Sequence, residues 1–233
     1  MSFVESISFT AAPAFLADRS LANATFEKIV ALDGVLGLYQ GFVEEDPNVF
    51  YIAIVWSTPN TKLSDYPDAL SGLTSLTATH NQPTHYRTTL NGIIDVSVDA
   101  PATEVLSLRL KGGFEYPELD EIMKTMAKDI NEGKVEGALV PCVWGPAENL
   151  SPSPEEPAGT PFLSFAGWTF SDLHRAFEKQ MHGLAGSDPA YGALFMRFIT
   201  IVEDIKMLHV NYKKFERSIS RRAPIKMMAI IEA

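Results

Sequence analysis

The sequence predicts an α+β protein made of two tandem β-α-β-β-α-β units. Three observations predict it. Hydrophobic patterning switches repeatedly between a strand-like period of two and a helical period of about 3.6. The same element order recurs in both halves. In each half the third strand ends in a tryptophan, Trp56 or Trp168, just before a helix. Such internal repetition constrains the fold more than any single segment does.

In the first half, Phe3-Val-Glu-Ser-Ile-Ser-Phe9 alternates apolar and polar residues, as a strand with one buried face does. Residues 20–32 carry Leu21, Phe26, Ile29, Val30 and Leu32 at helical spacing, stopped by Asp33-Gly34. Residues 35–43 and 49–56 read as two strands. The turn-forming Glu44-Glu-Asp-Pro-Asn48 between them makes a hairpin. A helix over about 64–78 and a strand over 93–98 complete the half.

The second half repeats this order. Residues 105–110 read as a strand. Leu119, Ile122, Met123, Met126 and Ile130 recur at helical spacing before Glu132-Gly133. Strands over 135–144 and 161–168 flank the Pro-rich acidic stretch 145–160, read as a loop. Two helical patterns follow: one from Leu173 to Leu184, the other from Tyr191 through Val202 to Ile205. A strand over 208–215 closes the half.

A four-stranded antiparallel sheet with helices on one face leaves its other face to be covered. The expected fold is therefore two tandem ferredoxin-like repeats packed sheet to sheet as a pseudo-dimeric α+β barrel. The expected units are residues 1–100, residues 101–216, and a C-terminal arm over 217–233. The arm is basic at its start and apolar over Ile225-Lys-Met-Met-Ala-Ile-Ile231, which suits an added strand or a homodimer contact.

Composition excludes several function classes. A net charge of −10 over 233 residues argues against a nucleic-acid partner, which needs clustered cations facing phosphates. The single cysteine, Cys142, excludes an internal disulfide and lies in an apolar run, where it reads as a small buried hydrophobe. The N-terminus has no basic region before its apolar stretch, and no run approaches the ~20 apolar residues of a membrane span. A cytoplasmic protein with no membrane association is expected. No nucleophile elbow and no dinucleotide-type glycine spacing is present.

The junction Gly167-Trp-Thr-Phe-Ser-Asp-Leu-His-Arg-Ala-Phe177 offers the first candidate site. His174 falls beside Phe177 and Met181, at the edge of the helix's apolar stripe, where an imidazole at the rim of a cavity would suit a general base. Trp168 and Trp56 are candidates to stack on a planar substrate. A second cluster, His80-Asn-Gln-Pro-Thr-His-Tyr-Arg87, offers His80 and His85 as bases, Tyr86 as a phenol donor and Arg87 as an anion clamp. It also reads as a solvated loop. His80 and His85 lack metal-ligand spacing and no carboxylate lies between them, so no metal site is expected. The acids at 44–46 and 155–156 read as solvated. His182 and His209 have no partner visible in the sequence.

Three segments together carry a family resemblance: "GFVEEDPNVFYIAIVWST", "WTFSDLHRAF" and "MLHVNYKKF". Their hairpin, Trp-to-His junction and closing His-Val strand resemble the antibiotic biosynthesis monooxygenase (ABM) family of the dimeric α+β barrel superfamily, in the tandem form common in fungal proteins. The resemblance implies oxygenation or ring chemistry on aromatic, polyketide-like or haem-like molecules, usually without a bound flavin. The expectation is a cofactor-independent monooxygenase of secondary metabolism. It would use His174, or His80 and His85 with Tyr86, for proton removal, and Trp56, Trp168, Arg87 and Phe177 to hold a small aromatic or polyketide-type substrate. A cyclase or isomerase sharing that base, and a non-catalytic binding or stress-response protein, are the alternatives. The first half has Lys62 where the second has His174, so the two pockets are not equivalent.

Overall fold

The computed structural model describes residues 1–79, 82–152 and 159–216. His80, the acids Glu155 and Glu156, and the arm over 217–233 lie outside the described residues. The first half comprises β1 (Ser2–Thr10), α1 (Pro13–Ala17), α2 (Asn23–Val30), β2 (Val35–Phe42), β3 (Val49–Trp56), α3 (Pro67–Thr74) and β4 (Thr84–Leu90). The short α4 (Asp95–Val98) leads into β5 (Ala102–Leu110), α5 (Tyr116–Met126), α6 (Lys128–Asn131), β6 (Ala138–Asn149) and β7 (Pro161–Trp168). Then come α7 (Ser171–Ser187), α8 (Pro189–Ile201), β8 (Val202–Val210) and β9 (Lys213–Lys214).

All strands join one curled antiparallel sheet in the order β8-β5-β7-β6-β4-β1-β3-β2-β9. The sequence predicts two sheets meeting only face to face, and that expectation is corrected here. β4 and β6 pair edge to edge, with Thr88 opposite Ala147 and Arg87 opposite Glu148, so the two halves share one ladder. The curl also brings the far strands together. Val43 at the end of β2 bridges Val210 at the end of β8, and the Glu44 N–H donates to the His209 carbonyl at 2.8 Å.

A glycine sits at each seam because the backbones approach too closely for a side chain. A Cβ on Gly145 would fall on the Thr89 carbonyl oxygen, and one on Gly41 on that of Asn211. Edge pairing at both seams leaves few unpaired strand N–H and C=O groups, which are otherwise costly to bury and prone to association.

Three cores follow from the alternation of each strand. Val4, Tyr51, Ala53, Val105, Phe165 and Val210 fill the inside of the curl and come from both halves. Ile7, Phe26, Phe50 and Trp56 pack beneath the first half's helices, and Leu106, Ile122, Phe162 and Trp168 beneath the second's.

Four readings of the sequence are corrected. Residues 93–98 form a helical turn rather than a strand, because Ile94 and Val98, four residues apart, bury one face together. The fourth strand is instead β4, drawn from the segment read as a solvated loop, since Thr84–Leu90 finds ladder partners in both β1 and β6. Residues 145–149 continue β6 rather than opening a loop; the Pro146 carbonyl accepts from Thr88 Oγ1 at 2.8 Å. Val202 and Ile205 continue the helical spacing of α8 but belong to β8, where β5 offers a ladder. No helix among the described residues is long and apolar enough to cross a membrane.

Candidate functional site

β5 pairs with β7 on one side and β8 on the other, which sets Glu104 opposite both Ala166 and His209. Glu104 shares the helix-facing side of β5 with Ala102 and Leu106, and is buried there. Its Oε2 accepts from Trp168 Nε1 at 3.3 Å and lies 3.1 Å from His174 Nε2. Burial pushes the Glu104 carboxyl up to about 7, the Trp168 hydrogen bond only partly offsetting it.

His174 stands one turn into α7, with Trp168 packed against its ring at 4.8 Å. It is 3% exposed, so the expected rim position is corrected: the residue is a buried member of the wall. Its Nδ1 lies 2.7 Å from His209 Nε2. Burial, with His209 beside it, pushes its pKa down from the ordinary imidazole value to about 4. Both ring nitrogens are occupied.

His209 Nδ1 is 2.5 Å from Glu45 Oε1, and the His209 backbone N–H donates to Glu45 Oε2 at 2.9 Å. Glu45 belongs to the β2–β3 turn and reaches His209 because the Val43–Val210 bridge joins the halves there. Burial pushes its carboxyl up, but the hydrogen bonds from His209 outweigh this and hold it below the usual range. Arg175 completes the outer end, with Nη2 at 2.9 Å from Glu44 and 3.3 Å from Glu45. The expectation that the 44–46 acids are merely solvated is corrected for Glu44 and Glu45.

Glu104 and His174 are among the polar residues lining a cavity of about 300 Å³ beneath α5, α7 and α8. Met123, Met126, Phe177, Phe198 and Met207 are among its apolar lining residues. Of the sequence candidates, His174 and Phe177 line it. Trp168 stands behind His174 as a hydrogen-bond donor.

The other candidates lie elsewhere. Trp56 is buried under the first half's helices against Tyr66, and its indole N–H finds no hydrogen-bond partner among the described residues. The pleat of β4 separates the second cluster, because successive side chains point to opposite faces. His85 Nε2 lies 2.8 Å from Glu5 on the helix side. Tyr86 packs on the interior core, and Arg87 reaches the Thr61 carbonyl at 3.5 Å.

Glu5 is the counterpart of Glu104. Each lies two residues beyond the strand position paired with its half's tryptophan, Phe3 opposite Trp56 and Ala102 opposite Trp168. In the first half the Leu63 N–H donates to Glu5 at 3.0 Å, and the rings of Phe9, Phe15, Phe26 and Phe42 pack on or around Phe50 in the same core.

Glu104, His209 and Glu45 escape the sequence reading. One signal was present: a carboxylate at the same place in the first strand of each half, on the apolar phase of the alternation, between Phe3 and Ile7 and between Ala102 and Leu106. Cys142 is buried, with its thiol pushed up to about 12. Among the described residues no group of three or more His, Cys, Asp or Glu side chains is arranged to hold a metal ion.

The fold is similar to those of several solved structures. A candidate monooxygenase from Lactobacillus acidophilus NCFM is 11% identical, with a TM-score of 0.52 over 92% of this chain and 96% of that one. A candidate monooxygenase from Fusobacterium nucleatum subsp. nucleatum ATCC 25586 is 12% identical, with a TM-score of 0.53 over 93% and 94%. An anthrone oxidase-like protein is 13% identical, with a TM-score of 0.55 over 91% and 93%. At these identities the likeness is one of fold. No family model and no curated protein matches the chain.

Proposed function

We propose that this protein is a cofactor-independent monooxygenase-like enzyme acting on a planar aromatic or polyketide-type molecule in the cytoplasm. The observation that carries this reading is the cavity: a largely apolar pocket lined by a buried carboxyl that lies 3.1 Å from an imidazole. Its volume sits at the lower end of the roughly 300–1,000 Å³ of small-molecule sites, which suits one flat molecule. The names of the structural neighbours support the same class, as does the ABM-like sequence of junctions. We read the halves 1–100 and 101–216 as tandem ferredoxin-like repeats, because each has the strand order fourth-first-third-second.

In this reading the ionised Glu104, held by Trp168 and His174, removes a proton from an activated methylene flanked by aromatic rings. A carboxyl tuned to about 7 suits a base working near neutral pH. The resulting carbanion passes an electron to O₂, and the radical pair combines to a peroxide that takes its proton back from Glu104. Loss of the second methylene proton and the distal oxygen as water leaves a ketone. One O₂ is consumed, one oxygen atom enters the product and the other becomes water.

The test is oxygen uptake with anthrone as probe, with product oxygen traced from labelled O₂. Label in the new carbonyl supports the reading. Proton exchange at the methylene without O₂ uptake would reassign the protein as an isomerase or cyclase, and binding without either as a carrier.

A further inference from the structure

Glu104 must lose its own proton to water before it can act as a base, and a bound substrate blocks the cavity side. The wall behind Glu104 offers a continuous alternative. Glu104 Oε2, His174 Nε2 and Nδ1, His209 Nε2 and Nδ1, and Glu45 Oε1 follow one another at 3.1, 2.7 and 2.5 Å. Glu104 lines the cavity, both rings are buried, and Glu45 is exposed on the opposite side. We propose that Glu104, His174, His209 and Glu45 form a proton relay from the cavity to the surface. This deepens, and rests on, the reading of Glu104 as the base.

The hydrogen-bond bookkeeping allows two arrangements of the same protons. Glu45 is held ionised, so His209 Nδ1 carries the hydrogen between them. In the first arrangement His209 is neutral, His174 donates from Nδ1 to His209 Nε2, and a protonated Glu104 donates to His174 Nε2. In the second, the Glu104 proton has moved to His174 Nε2, and the His174 Nδ1 proton has moved to His209 Nε2. Two N–H bonds form while one O–H and one N–H bond break. Glu104 is then a carboxylate and His209 an imidazolium beside Glu45. His174 is neutral throughout and changes only its tautomer, which fits a ring whose buried site disfavours charge. Glu45 then accepts the Nδ1 proton from His209 and passes it to water.

Of the remaining charged groups facing the chain, Glu44 favours a proton at the exit, while Glu178 on the cavity side and Arg175 at the exit oppose it. Glu44 flanks Glu45, Glu178 borders the cavity side of α7, and Arg175 is engaged with Glu44 and Glu45 at the exit. The relay spans the two halves, since Glu45 comes from the first and the other three residues from the second. His209 and Glu45 act through His174 as positioning residues and touch no substrate.

The test uses ¹⁵N-histidine-labelled full-length protein, with ring nitrogen shifts read from about pH 6 to about pH 8. The expected result is a His174 ring that remains neutral while its tautomer balance shifts from Nδ1–H toward Nε2–H as Glu104 ionises. Glu45→Gln, which withdraws support from the His209 imidazolium, should hold His174 in the Nδ1–H form. An imidazolium at His174, or a tautomer indifferent to Glu45→Gln, overturns the relay.

A kinetic arm applies with anthrone. His209→Ala should lower turnover by about 10²-fold, the lower end for a proton-transfer group. Added imidazoles should restore it in proportion to their basicity. Turnover unchanged by His209→Ala also overturns the relay. Absence of turnover in the unaltered protein instead sinks the oxygenase reading and leaves the tautomer measurement to decide the relay.

Discussion

His174 Nδ1 lies 2.7 Å from His209 Nε2, so two imidazoles far apart in sequence share one hydrogen inside the second half's wall. Neither ring has a nitrogen left over. Removing either one therefore strands a buried polar partner.

The first prediction concerns stability. At 3% exposure, with Glu104 and His209 on its two nitrogens, His174→Ala should cost about 2–4 kcal/mol, as unpaired buried polar groups do. Urea denaturation measures it. A loss under about 0.5 kcal/mol would mean that these two polar contacts contribute nothing net.

pH dependence separates the two groups. Glu104 has its folded-state pKa raised to about 7, so its contribution is present below the ordinary glutamate range and is lost as pH rises through about 7. His174 has its value lowered to about 4, so its contribution is present above about 6.5 and is lost as pH falls toward 4. Melting temperature should therefore decline on both sides of a mildly acidic plateau. Glu104→Gln should abolish the decline through about pH 7 and leave the acid limb intact. An unchanged curve in that variant would remove Glu104 as the cause.

Trp168→Phe tests the indole N–H, which donates to Glu104 and lowers its pKa against the larger effect of burial. Without the donor the carboxyl should titrate higher, moving the acid limb of kcat/KM with anthrone to higher pH. A stationary limb would leave Trp168 a packing role only.

The seam can be broken at a distance from the cavity. In Gly41→Ala the new methyl would meet the Asn211 carbonyl, pushing β2 from the chain after β8 and with it Glu45 from His209. The expected outcome is a destabilisation of about 2–4 kcal/mol and a histidine tautomer pattern like that of Glu45→Gln. Gly145→Ala, which disturbs only the β4–β6 seam, should destabilise similarly while leaving that pattern unaltered.

Cys142 should resist thiol reagents in the native protein. Its thiol is buried and pushed up to about 12, so almost no thiolate is present. Mass spectrometry after reagent treatment should show an adduct only in denaturant, and rapid native labelling would contradict the burial.

Local periodicity carried much of the fold. The ladders of 49–56 and 161–168, the hairpin at Glu44–Asn48 and the helix of residues 171–187 were legible because each buries a face whose residues are neighbours in sequence. Residues 84–90 were misread because their polar alternation becomes a strand only with β1 and β6 alongside. Residues 93–98 show the converse, since a six-residue apolar alternation fits strand or helix until something packs on it. His174 was visible from its junction with Trp168, but its depth was not. Burial depends on α7 settling against β5 and β8, contacts made by residues about 35–70 positions away. Glu45 is the clearest case. An acidic turn has the same composition whether it faces water or a histidine, and only closure of the curl at Val43 and Val210 places it on His209. The chain's local chemistry determined which segments would be strands and helices. Long-range hydrogen bonding between strand edges decided which of its charges would meet, because that pairing is paid in ordering entropy that no short stretch of sequence records.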